Sequence, residues 1–120
     1  MPDMNTRDVY QLLLAFSSYS EIKRKIILCL AHIYPQAVSG TQLSRMIGYS
    51  GKARTLYRGV LDRLKNDNII LLDKLTPKLY AIRINHNHRL MKLLIELSQM
   101  YGSDLKEKFS KILEQESQNG

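Results

Sequence analysis

Only one cysteine, Cys29, occurs in the 120 residues, so no disulfide can form within the chain, and a reducing cytoplasm is the expected compartment. Long apolar runs are missing too. The longest, Ile26–Ala31, falls far short of the ~20 residues that cross a bilayer, so no membrane partner is expected. Met1-Pro2-Asp3-Met4-Asn5 holds no basic stretch leading into an apolar one, and no secretory leader is expected. Catalytic signatures are equally sparse. There is no phosphate-cradling glycine loop, no paired-carboxylate motif and no cysteine–histidine pair with a supporting sequence, so neither an enzyme nor a cofactor is expected. His86-Asn87-His88 is the one arrangement resembling a metal site, and it reads as a pair of exposed helix-capping residues; no metal is expected. Cys29 falls on an apolar helical face and reads as a small core residue.

Acidic residues are in short supply. Eleven Asp and Glu stand against 18 Lys and Arg, a net charge of +7 and a pI near 9.6, which favours a polyanionic partner. The excess is not spread evenly. Residues 1–20 carry a net −1 and residues 93–120 a net −2, leaving +10 on residues 21–92. An anion would bind the middle of the chain. Hydrophobic content of 44% and charged content of 24% are those of a globular protein, and the length fits a single domain over 1–120.

Periodicity orders the chain into elements. Asn5-Thr6-Arg7-Asp8 opens a helix to about Ser17 with Val9, Leu12, Leu13 and Phe16 on one stripe. Ser18-Tyr19-Ser20-Glu21 fits a capping box for a second helix, apolar at Ile22, Ile26, Cys29, Leu30 and Ile33 and ended by Tyr34-Pro35. Three cations near its start, Lys23, Arg24 and Lys25, oppose the helix dipole and need solvent or an anionic neighbour. Ser39-Gly40 leads into a short helix with Leu43, Met46 and Ile47 inward, stopped by Gly48. A longer helix follows from about Lys52 to Asn66, with Ala53, Tyr57, Val60, Leu61 and Leu64 inward and Asn68 closing it in the left-handed conformation. The period then changes. Ile69–Leu72 and Leu79–Ile84 flank Asp73–Lys78 as a short hairpin. Asn85 or Asn87 caps a helix striped by Leu90, Leu93, Leu94, Leu97, Met100 and Tyr101. A last helix carries Leu105, Phe109, Ile112 and Leu113 before a polar tail.

The fold class is therefore mainly α with a small β-hairpin: short helix, tight turn, longer basic helix, hairpin. That order, carried by Gly40-Thr41-Gln42-Leu43-Ser44-Arg45-Met46-Ile47-Gly48, Thr55-Leu56-Tyr57-Arg58, Leu61-Asp62-Arg63-Leu64 and Lys65–Ile70, resembles the winged helix-turn-helix DNA-binding proteins, especially small dimeric regulators of the ArsR and MarR type. The resemblance covers residues 22–101. Asn68 stands where those families usually have glycine, and the cysteine-rich motif of their metal sensors is missing.

What the resemblance implies is a winged-helix core over 22–84, with helices over 5–17 and 87–114 for packing and for pairing two subunits. The outer face of the longer helix shows Lys52, Thr55, Arg58, Gly59 and Asp62, with Arg54 and Arg63 on its flanks, side chains suited to base edges and phosphates of the major groove. Lys74 and Lys78 bracket the hairpin tip, where the resemblance implies a backbone contact beside that helix. Double-stranded DNA binding by a homodimeric transcription regulator is the expected function. The alternatives are a winged-helix protein-interaction module in a larger assembly, or a replication or partition factor using the same DNA contacts.

Overall fold

The computed structural model describes residues 6–51, 53–77, 79–104 and 107, and of Thr6, Ala53, Arg54, Tyr57 and Ser103 the backbone alone. The expected last helix and tail, from Leu105 through Leu113 to Gly120, lie outside the described residues apart from Glu107. Helix α1 spans Thr6–Ser18, α2 Glu21–Ile33, α3 Gly40–Ile47, α4 Ala53–Leu56 and α5 Asp62–Asn66. Strands β1 (Ile70–Thr76) and β2 (Leu79–Ile84) follow, then α6 (Arg89–Tyr101) and a 3₁₀ turn over Gly102–Asp104. The described residues are thus mostly helical, with a two-stranded antiparallel sheet. No helix among the described residues is long and apolar enough to cross a membrane.

The core is a single cluster to which every helix contributes. Leu12 and Phe16 of α1, Ile26 and Leu30 of α2, Leu43 of α3, Leu56, Leu61, Leu64, Ile82, Ile84, Met91 and Leu94 are all essentially without solvent contact. Helix α6 is buried on more than a stripe, because α1 and α2 both pack on it. Met91 and Ile95 join Leu93, Leu94 and Leu97 inside, whereas Met100 and Tyr101, expected inward, are exposed. Asp8 and Gln11 of α1 both accept hydrogen bonds from Arg89 at the start of α6, Asp8 at 3.0 Å. The inner stripes of α1 and α6 are therefore consumed within the chain and are not available to join subunits.

Several local devices differ from the expected ones. Ser20, not Ser18, caps α2, its hydroxyl accepting from the Lys23 amide at 3.4 Å. The reciprocal capping box is instead at α3, where Ser39 accepts from Gln42 N–H and Gln42 Oε1 accepts from Ser39 N–H. The three cations at the start of α2 find partners close by: Lys23 lies 6.0 Å from the Tyr19 ring centroid, Arg24 donates to the Tyr19 carbonyl, and Lys25 pairs with Glu21 at 3.5 Å. Ile27 and Ala31 of α2 are buried, and Cys29 is only half-buried. Met46 is 49% exposed, its place inside taken by Ser44, whose hydroxyl donates to the Gly40 carbonyl one turn back.

The helix stops that the sequence marks at Gly48 and Asn68 are both formed as left-handed residues. Gly48 (φ +70) lets its own N–H reach the Arg45 carbonyl and that of Tyr49 reach Ser44. Asn68 (φ +62) does the same for α5: its N–H bonds Lys65 and that of Ile69 bonds Leu64, while Ile69 and Leu64 are both buried.

The hairpin is longer than Ile69–Leu72 predicts, because pairing continues through Asp73↔Ala81 and Lys74↔Tyr80 to an irregularity before Thr76↔Leu79. Its root is fixed by Val38, which exchanges two backbone hydrogen bonds with Ile82 (2.9 and 2.8 Å) and adds a one-residue third strand. Neither Asn85 nor Asn87 caps α6. His88 does, its Nδ1 accepting from the Leu90 amide.

Candidate nucleic-acid interface

Of the basic helix expected over Lys52–Asn66, residues Ala53–Asn66 are helical throughout but not of one pitch. Between α4 and α5, residues Tyr57–Leu61 form a π turn. Its cause is visible in the burial. Leu56, Leu61 and Leu64 are fully buried, and in a regular α-helix of about 100° per residue the first two would diverge by about 140°. A turn bonded five residues apart brings them onto one ledge. Leu56 is thus an anchor that the regular-helix reading, centred on Tyr57 and Val60, passes over; Val60 is half-buried and the Tyr57 side chain is not described.

The same turn rearranges the outer face. Thr55, Arg58, Gly59, Asp62 and Arg63 are all exposed. Arg58 lies within that turn and Arg63 just beyond it at the start of α5, both on the solvent side. Asp62, four beyond Arg58, makes no ion pair with it, and among the described residues neither arginine has an acidic partner. A Cβ placed on Gly59 would meet nothing within 4 Å, so this glycine is not required by packing. Arg54 belongs to α4 by its backbone. Lys52 lies outside the described residues.

Lys74 is exposed on β1 opposite Tyr80, on the face that carries Ile70 and Leu72 nearer the core. It stands along the strand, not at the tip. Pro77 begins the turn, and Lys78 lies outside the described residues. On the opposite face, Arg83 Nε sits 3.7 Å from Asp73 Oδ2, diagonally across the strands. Sequence reasoning overlooked the apolar character of the tip: Leu75 is 63% exposed and Leu79 is 44% exposed. Alternation along the strands points to them, since each is next to the turn and beyond the reach of the core. It also passed over Lys65, exposed two residues beyond Arg63.

The histidine pair separates. His88 is the cap of α6, and burial together with neighbouring Arg89 lowers its pKa below the usual 6.5. His86 is half-buried against Tyr34 (ring centroids 5.9 Å apart), correcting its reading as an exposed cap. Among the described residues no three His, Cys, Asp or Glu side chains are grouped to hold a metal ion. No protein-family model, curated protein or solved structure matches the chain.

Proposed function

We propose that the chain is a winged-helix protein that binds double-stranded DNA, acting as a homodimeric transcription regulator. The observation that carries this reading is the exposed row Thr55, Arg58 and Arg63, whose arginines have no acidic partner among the described residues and whose opposite side is anchored by Leu56, Leu61 and Leu64. A helix so presented fits a major groove, where arginine reads guanine and threonine reads base edges. Lys74 on the hairpin strand and the dense positive charge of residues 21–92 supply phosphate contacts. The resemblance adds Lys52, Arg54 and Lys78 as further DNA contacts to be tested. Because the inner stripes of α1 and α6 are consumed in the core, the pairing surface we propose is the outer side of α1, where Tyr10 and Leu14 are exposed, with Met100 and Tyr101 at the end of α6.

Selection of duplexes from a random pool tests the reading. An enriched palindrome with half-sites about one helical turn apart is the expected result. No binding to any duplex at low salt overturns it. A second reading, a protein-interaction module, is favoured by Leu75 and Leu79, since exposed leucines on a hairpin tip serve protein contact better than phosphate contact. Failure to bind DNA, with the fold intact, moves the weight to that reading.

A further inference from the structure

A cleft of about 590 Å³ opens between α2, α3 and the end of α6, and neither Thr55, Arg58 nor Arg63 lines it. Its chemistry is two-sided. Leu28, Cys29 and Met46 give it an apolar lining, and Lys25, His32 and Arg45 bring basic groups to it. No Asp or Glu is among the described lining residues. Lys25 is held by Glu21 one turn back, whereas Arg45 and His32 have no acidic partner among the described residues. Such a site repels a metal cation. A bare phosphate or a phosphodiester would leave its apolar wall uncovered, and a neutral hydrocarbon would leave its cations unanswered.

We infer that this cleft binds a small amphipathic organic anion, a single anionic head on an apolar body. The head would meet the Arg45 guanidinium, whose planar fork suits a two-oxygen acid, with Lys25 beside it. The body would cover Leu28, Cys29 and Met46. The volume falls within the range of small-ligand pockets. The inference is independent of DNA binding, although an occupant would press on Ile47 and Gly48, the last residues before the turn into α4.

Cys29 makes the test direct. It is the sole cysteine and it lines the cleft, so the rate of its alkylation by neutral iodoacetamide reports occupancy at one place. Octanoate is the probe, and octanol and acetate are its neutral and tail-less controls. Octanoate is expected to slow alkylation by about tenfold when present at ten times its dissociation constant. Octanol and acetate at the same concentration should give little protection. Arg45→Gln, at an exposed position, should leave the circular dichroism and melting temperature unchanged and weaken octanoate affinity about tenfold, leaving only about twofold protection at the same concentration. Equal protection by octanol, equal protection by acetate, no protection by octanoate, or full protection retained in a folded Arg45→Gln variant would each overturn the inference.

Discussion

Asn85 Nδ2 donates to the carbonyl of Asn68 at 2.9 Å, so a buried side chain after the hairpin fastens the left-handed residue before it. The Asn85 Oδ1 accepts from the Asn87 amide, and its own N–H bonds the Ile69 carbonyl. One side chain thereby ties the end of the basic helix to the far end of the hairpin. Asn85→Ala should cost about 1–3 kcal/mol, because two hydrogen bonds are lost at once, to the Asn68 carbonyl and from the Asn87 amide. Asn68→Gly should be near neutral, and Asn68→Val should cost about 1–2 kcal/mol through its positive φ. Urea denaturation of the three variants checks the order.

Arg58 and Lys74 are expected to fail differently. Arg58→Ala should weaken binding and erase about 1–3 kcal/mol of discrimination at one base pair. Lys74→Ala should weaken all duplexes alike and reduce the slope of log affinity against log salt by about one. Titrations of a selected and a scrambled duplex at several salt concentrations separate the two. Equal loss on both duplexes for Arg58→Ala would reassign it to the backbone.

Gly59 offers a cleaner separation of stability from binding. Since its surroundings are open, Gly59→Ala should stabilise the fold by about 0.5–1 kcal/mol. Affinity for DNA should fall, because the added methyl group sits on the proposed contact face. A stabilised protein with undiminished affinity would show that the duplex never reaches this part of the helix.

His88 caps α6 only while Nδ1 is unprotonated. Its folded pKa is lowered, first by burial and then by Arg89, so the unfolded chain takes up the proton more readily. The resulting stability is fully present above the unfolded value of about 6.5 and is lost as pH falls through the lower folded value. In urea melts from about pH 7 to pH 5, His88→Asn, which retains a neutral cap, should flatten this component. An unchanged pH profile in His88→Asn would assign the dependence to other groups.

Leu14 is 52% exposed on α1 while its neighbours Leu13 and Phe16 are buried. Leu14→Glu should therefore leave the melting temperature of the subunit nearly unchanged and convert a dimer to a monomer in sedimentation equilibrium. A wild-type chain that is already monomeric at DNA-binding concentrations would remove the pairing surface.

Much of the fold is legible in the residues because local chemistry dictates it. Gly48 and Asn68 stop their helices for the backbone reason that the sequence indicates, and the stripe Leu12, Leu13, Phe16 is the buried face of α1. The candidate interface is legible in part: Thr55, Arg58 and Arg63 are outward as their positions require. What escaped depends on contacts distant in sequence. Val38 pairs with Ile82 across 44 positions, which no local pattern announces. Met91 and Ile95 are inside because α6 is covered from two sides, so a single stripe understates its burial. The π turn is hidden because Tyr57 and Val60 supply apolar residues where a regular helix wants them, masking Leu56 as the buried partner of Leu61.

That unevenly wound segment has a consequence for how the protein can vary. Two of its positions, Arg58 and Gly59, face water, so excising either would leave Leu56 and Leu61 four apart, and ordinary winding would still seat both. The cationic row would rotate as the hydrophobic floor stayed in place. Register on the outside is thereby uncoupled from fit on the inside, and a lineage could re-aim its contacts by a single deletion without rebuilding its interior.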